Sequence, residues 1–138
     1  MPKQKQPNVL LIMTDQQRAD GMGAAGNPAI RTPNMDRIAQ EGVLFSSAFC
    51  SNPFCMPSRA SVMTGRYAHA HGTWDNGVPL PQDTVTLAGH LAGQGYQTLL
   101  IGKGHLNVFR RRGSPESFDD WADPEPRWAD WHGPYYGF

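Results

Sequence analysis

Three short apolar runs alternate with amphipathic segments along the chain. They cover residues 8–14, 43–49 and 97–101, and Val, Leu, Ile or Phe follow one another in each run. Continuous apolar runs of this length are typical of strands that are covered on both faces in a parallel sheet. We therefore predict three β-strands at these places.

Helix signals stand between the strands. Thr32 is a suitable N-cap, Pro33 occupies a favourable first helical position, and Gly42 lies where this helix would end. Residues 58–64 form a second predicted helix, and Gly65 follows it as a terminating residue. Both helices are predicted from their boundary residues as much as from their apolar faces.

A third helix is predicted just before the last apolar run, with Asp83 as its N-cap and Gly95 at its end. Its buried stripe would consist of Leu87, Ala88, Leu91 and Ala92. The resulting order is strand, helix, strand, helix, helix, strand. This order indicates an α/β fold with a mostly parallel sheet flanked by helices.

Composition excludes several classes of function. The 138 residues carry 12 basic and 12 acidic side chains, and only 17% of all residues are charged. Because no basic surface is available, we expect neither nucleic acid nor a membrane as a partner. The apolar run at residues 9–13 is too short for a membrane span or a secretory signal, so we expect a cytoplasmic protein.

The run from Cys55 to Arg59 is the strongest candidate for chemistry. It joins a thiol, a fixed cation and a predicted helix N-terminus, where bound anions are favoured. Cys55 is interpreted first as a nucleophile precursor, second as an activated thiolate and third as a small core residue. Cys50 has no comparable neighbours and is predicted to be core, and no disulfide is expected in a reducing compartment.

Two further polar pairs each follow a predicted strand directly. Asp15 and Gln16 follow the first strand, and Lys103 and His105 follow the third. Ligands of open α/β sheets bind beyond the carboxyl ends of strands, so both pairs are predicted to converge where Cys55 begins its helix. Taken singly, Asp15 is also suited to a turn cap, and Lys103 and His105 to a polar turn.

Two other His residues, His69 and His71, lack acidic or Cys neighbours at ligand spacing and are predicted to lie in a loop.

Four segments in order, at residues 8–18, 32–39, 55–66 and 101–106, resemble type I sulfatases of the alkaline-phosphatase-like superfamily. The third segment resembles the Cys-x-Pro-Ser-Arg modification signature of that family. Gln16 stands where many sulfatases carry a second Asp, and Asp-Gln is more similar to the choline-sulfatase and phosphonate monoester hydrolase branches. Sulfate and phosphonate or phosphodiester esters of small molecules therefore both stay open as substrates.

The resemblance implies that a formylglycine-generating enzyme oxidises Cys55 to formylglycine, whose hydrated aldehyde attacks the ester. It implies that Arg59 partners this nucleophile and that Lys103 and His105 contact the nucleophile and the ester. It also implies a divalent cation, calcium first and manganese or magnesium as alternatives. The implied metal ligands in this chain are Asp15, Gln16 and the modified Cys55.

Members of this family are much longer than 138 residues. Residues 1–112 are therefore interpreted as the N-terminal part of a sulfatase catalytic domain, and residues 113–138 as a Pro- and Trp-rich part of the same domain. We expect a fragment that is inactive alone and a full-length enzyme for which a homo-oligomer is an open alternative. The rival hypotheses are a non-catalytic folding unit and a thiol redox protein using Cys50 and Cys55.

Overall fold

The computed structural model describes residues 6–109, 114, 116 and 135–138. The chain divides into two compact units, residues 1–48 and residues 49–138. The described residues of the first unit contain a 3-10 turn and helix α1, and those of the second unit contain helices α2, α3 and α4.

Helix α1 covers Pro33–Glu41, as the boundary residues predict. Thr32 precedes Pro33, and the backbone N–H of Gly42 closes the helix by donating to the Ile38 carbonyl. The prediction of this helix is confirmed at both ends.

A small polar cluster links α1 to the 3-10 turn at Gly23–Ala25. The Thr32 hydroxyl accepts a hydrogen bond of 2.8 Å from the Gly23 N–H and donates one of 2.9 Å to the Asp36 carboxylate. The same carboxylate oxygen accepts a 2.7 Å bond from the Ala24 N–H. Thr32 thus serves the turn in front of the helix instead of bonding the helix N-terminus itself, to which it makes no side-chain cap bond.

Helix α2 covers Cys55–Thr64 and begins three residues earlier than predicted. Phe54 is its N-cap residue, so Pro57 lies inside the first turn, where a missing N–H costs no helical hydrogen bond. The helix ends at Gly65 as predicted, because Gly65 adopts a left-handed φ of 65°.

Helices α3 and α4 depart further from the sequence predictions. Helix α3 covers Ala68–His71, so the two His residues predicted for a loop are helical. Helix α4 covers Leu87–Gly93, and its N-cap is Thr86, not Asp83, because the Thr86 hydroxyl accepts from the Gly89 N–H. Of the predicted buried stripe only Ala88 is buried.

The core of the second unit is small and is built around α2. Its buried members are Ala60, Leu80, Leu106, Tyr135 and Tyr136. The backbone of Leu80 donates to the Leu106 carbonyl at 2.9 Å, and the Tyr136 hydroxyl donates to the Leu80 carbonyl at 2.7 Å. These bonds fix the segment around residue 106 against the core.

The three predicted strands are not formed among the described residues. Their apolar side chains lie open instead: Leu10 is 84% exposed, Phe49 is 92% exposed and Ile101 is 86% exposed. A β-strand requires a neighbour for its backbone N–H and C=O groups, and the described residues supply none to these runs. The parallel sheet therefore stays a prediction. No helix within the described residues has the length and apolar character needed to cross a bilayer.

Candidate active site

Cys55 is the first residue of α2, and its side chain is partly exposed. Two Asn side chains shape the backbone around it. Asn52 accepts from the Phe54 N–H at 2.8 Å, and Asn76 accepts from the Met56 N–H at 3.0 Å. The Asn76 amide reaches this place from 20 residues further along the chain and satisfies one of the otherwise unpaired N–H groups at the helix start.

Arg59 lies one helical turn after Cys55 and is only 8% exposed. Its Nη1 donates a 2.7 Å hydrogen bond to the backbone carbonyl of Lys103. The guanidinium keeps its charge at every physiological pH, so this bond places a fixed cation between α2 and the segment that carries Lys103. The structure thus brings the Arg59 side chain, one turn after Cys55, to the backbone of Lys103.

Lys103 and His105 occupy different environments. The Lys103 side chain is exposed, whereas His105 is 8% exposed and stacks on Phe109 with ring centroids 3.8 Å apart. His105 adopts a left-handed φ of 53°, and Gly102 has a φ of 93°. The backbone around Lys103 is therefore not extended at residues 102 and 105.

Asp15 and Gln16 lie in the first compact unit, whereas Cys55 belongs to the second. Both side chains are exposed, and Gln16 adopts a left-handed φ of 52°. Their convergence with Cys55 stays a prediction. Within the described ranges, no three His, Cys, Asp or Glu side chains gather into a metal-binding group.

Glu116 is a site residue that sequence reasoning missed. One of its carboxylate oxygens accepts from the Leu106 N–H at 2.8 Å, from the Asn107 N–H at 3.3 Å and from the Tyr135 hydroxyl. Burial raises the pKa of Glu116 to about 7, although these backbone bonds and the nearby Arg59 charge act in the opposite direction. The sequence did not indicate that Glu116 is partly buried, because a single Glu in a Pro-rich segment is normally solvated.

Ser61 and His71 form a second polar pair, which joins α2 to α3. The Ser61 Oγ and the His71 Nε2 lie 2.9 Å apart. The His71 Nδ1 accepts from the Thr73 N–H at 3.1 Å, so in the neutral ring Nε2 carries the proton and donates to Ser61. Because this nitrogen holds a proton, the pair is not an activated nucleophile and its base. Burial lowers the pKa of His71, which keeps the ring neutral.

Cys50, predicted to be core, is exposed. It lies outside any helix and near the boundary of the two compact units. The absence of a Pro-Ser-Arg sequence after Cys50 therefore does not indicate burial, and the prediction of a core residue is wrong.

Comparison with known proteins matches residues 7–137 to the Sulfatase family. The chain is 40% identical over 118 residues to N-acetylglucosamine-6-O-sulfatase of Bacteroides thetaiotaomicron, an alignment covering 86% of this chain and 20% of that protein. It is 43% identical over 119 residues to steryl-sulfatase of Mus musculus, covering 78% of this chain and 19% of that protein.

Among solved structures, the phosphonate monoester hydrolase of Agrobacterium radiobacter is similar with a TM-score of 0.74 and 34% identity. That match covers 96% of this chain and 25% of the hydrolase. The chain thus spans about a fifth of the length of the curated relatives given above. The ordered motifs, the helix that begins at Cys55 and these matches lead to one conclusion: the chain belongs to the sulfatase family.

Proposed function

We propose that this chain carries part of the active site of a sulfuric ester hydrolase whose nucleophile derives from Cys55. The observation that supports it best is the placement of Cys55 at the first position of α2, one turn before a buried Arg59 that bonds the Lys103 carbonyl. In this proposal the nucleophile precursor, the helix N-terminus and the fixed cation act on the same bound ester.

Each residue has a chemical task in this proposal. The N-terminus of α2 and the Arg59 guanidinium favour the negative charge of a bound ester and of the group in transfer. The exposed Lys103 ammonium attracts the same anion. His105, whose ring stacks on Phe109, is the proposed donor of a proton to the departing oxygen. Formylglycine at position 55, when formed, supplies the nucleophilic oxygen.

A divalent cation is part of the proposal, and the available donors suit it. Asp15 offers a carboxylate, Gln16 an amide oxygen, and a modified Cys55 an oxygen in place of sulfur. Oxygen donors of this kind are the ligands that calcium prefers, with magnesium and manganese as the alternatives. The cation would stabilise charge on the ester oxygens.

Phosphonate monoester hydrolysis is the second candidate. Two observations favour it: the pair Asp15 and Gln16 resembles the phosphonate monoester hydrolase branch, and the chain is 34% identical to a phosphonate monoester hydrolase. Sulfate monoesters and phosphonate monoesters both carry a single negative charge, so the two candidates are separated by measuring the hydrolysis of both esters and not by substrate charge.

The test uses the full-length protein that contains this chain, produced with and without a formylglycine-generating enzyme. Hydrolysis of 4-nitrophenyl sulfate and of a 4-nitrophenyl phosphonate monoester is measured for the wild type, Cys55→Ala and Cys50→Ala. We expect activity only with the modifying enzyme, abolished by Cys55→Ala and kept by Cys50→Ala.

Mass spectrometry of the tryptic peptide covering residues 38–59 gives an independent reading. Conversion of the thiol to an aldehyde lowers its mass. An active enzyme whose Cys55 keeps its full thiol mass would exclude the proposed nucleophile, and loss of activity in Cys50→Ala would revive a redox pair.

A further inference from the structure

Glu116 is a partly buried acidic residue next to residues that the proposed function uses. Its charged form is stabilised by hydrogen bonds from the backbone that directly follows His105 and, to a smaller extent, by the charge of Arg59. Its carboxylate thus acts on the surroundings of two residues of the proposed site, Arg59 and His105.

The hydrogen bonds of Glu116 are concentrated on one oxygen. Oε1 accepts from the N–H groups of Leu106 and Asn107 and from the Tyr135 hydroxyl. Leu106 is itself 1% exposed and belongs to the core. The turn that carries His105 is thus fastened to the core at the residue immediately after the His.

The other oxygen, Oε2, is buried and has no hydrogen-bond partner among the residues that the structure describes. The charged form of Glu116 is stabilised first by the backbone hydrogen bonds to Oε1 and then by nearby positive charge. Arg59 supplies that charge, and Arg59 also bonds the Lys103 carbonyl. Arg59 therefore acts on the charge of Glu116 and on the backbone before His105.

We propose that Glu116 is a positioning residue, which fixes the turn carrying His105 and balances the charge of Arg59. This inference rests on the proposed function, because the position of these two side chains matters for an ester only if they act on one. Glu116 is not a catalytic residue, since it acts through its neighbours.

The ionisation of Glu116 should make the activity of the enzyme depend on pH. Its pKa of about 7 places the change of charge within the working range of an assay. The groups that face it are the Arg59 guanidinium, the His105 backbone with its titratable ring, and the Tyr135 and Tyr136 hydroxyls. Burial raises the pKa of Tyr136 to about 12, so that hydroxyl stays neutral in such an assay.

The main experiment measures kcat and KM of the full-length, modified enzyme against pH for Glu116→Gln and Glu116→Asp. The control is Glu41→Gln, the same chemical change at an exposed position at the end of α1. At pH 8.5 we expect Glu116→Gln to lose about ten- to a hundred-fold in kcat, because misplacement of reacting groups by an ångström costs up to about a hundred-fold.

The loss should shrink toward none at pH 6. There the wild-type carboxyl is protonated, neutral and of the same shape as the Gln amide. Glu116→Asp, which keeps a charge, should restore part of the activity at pH 8.5. A loss that is equal at all pH values, or no loss at pH 8.5, overturns the inference.

A second measurement separates the inference from the proposed function. Hydrogen exchange of the Leu106 and Asn107 amides is compared in wild type, Glu116→Ala and Glu41→Ala. We expect at least tenfold faster exchange at these two amides in Glu116→Ala alone. If the wild type hydrolyses neither ester, the proposed function fails, and the positioning role is then decided by this exchange: unchanged rates overturn it.

Discussion

The Arg59 guanidinium donates a 2.7 Å hydrogen bond to the backbone carbonyl of Lys103, 44 residues further along the chain. This bond joins helix α2 to the turn that precedes His105. Arg59 therefore braces the residues around it, and in the proposed function it is also the cation for a bound anion. A substitution that keeps the charge and changes the geometry separates these two roles.

Arg59→Lys keeps one positive charge and loses the planar fork that reaches the Lys103 carbonyl. We expect the free energy of unfolding to fall by about 1.5–3 kcal/mol, the range for hydrogen bonds to charged groups. Chemical denaturation measures it, with Arg31→Lys, at an exposed position, as the matched control. Equal stability of Arg59→Lys and wild type would contradict the bracing role.

His71 makes stability depend on pH. Burial lowers its pKa in the folded protein, whereas the unfolded chain binds a proton at the ordinary value of 6.5. Its contribution is therefore complete above pH 6.5 and is lost as the pH falls toward the folded pKa. In His71→Gln we expect a weaker decline of the melting temperature between pH 7 and pH 5. His69→Gln, at an exposed position on the same helix, is the control.

Glu116 changes the stability of the fold with pH in the opposite direction to His71, so its effect has to be considered in the His71 experiment. The folded pKa of about 7 lies above the ordinary 4.5, so this contribution is present below pH 4.5 and is lost as the pH rises to about 7. The two slopes overlap between pH 4.5 and 6.5 and oppose each other. In Glu116→Gln the melting temperature should therefore decline more steeply than in wild type as the pH falls from 6.5 to 4.5. An unchanged decline would contradict this interpretation of Glu116.

Gly104 is required by a close approach, not by its backbone angle. A Cβ atom built on Gly104 would overlap the hydroxyl and ring of Tyr135. We expect Gly104→Ala to lower stability by about 1–3 kcal/mol, as is common for overpacking. The control is Gly93→Ala at the end of α4, where a Cβ meets open space, and where Ala should stabilise the helix by up to about 1 kcal/mol. Thermal unfolding of both variants checks the difference in sign.

Gln16→Asp adds a carboxylate to the proposed metal site. Because a second negative charge binds a divalent cation more strongly, we expect calcium affinity of the full-length protein to rise about tenfold or more. Calorimetric titration of calcium measures it, and Gln17→Asp, the same change one residue further on, is the control. If both variants bind calcium like the wild type, position 16 does not hold the cation.

Most of the secondary structure that the sequence predicted correctly was predicted from residues at helix boundaries. Pro33, Gly42 and Gly65 act within their own helix turn, so the sequence next to them is sufficient to place α1 and the end of α2. Thr86 was missed because Asp83, three residues earlier, is also a favoured N-cap residue type. The second bond of Thr86, from its hydroxyl to the Tyr136 carbonyl 50 residues away, is one that no local pattern reports.

The candidate chemical groups of the site could be predicted from the sequence, whereas the residues that hold them could not. Cys55 and Arg59 lie one helical turn apart, so their spacing alone indicates a common face. Glu116 was missed because its burial depends on Leu106 and Tyr135, which the chain brings to it from both sides. The strand runs were identified by composition, and a strand also needs a neighbouring backbone that composition does not describe.

The exposed apolar run at residues 8–14 affects how the 138-residue chain must be handled. It has seven consecutive residues without charge, Pro or Gly, and Leu10 and Ile12 are 84% and 72% exposed. Segments of this kind stack into steric zippers between identical chains. Produced by itself at high concentration, the chain should therefore form thioflavin-binding fibrils, and a Lys placed at position 10 should slow their appearance.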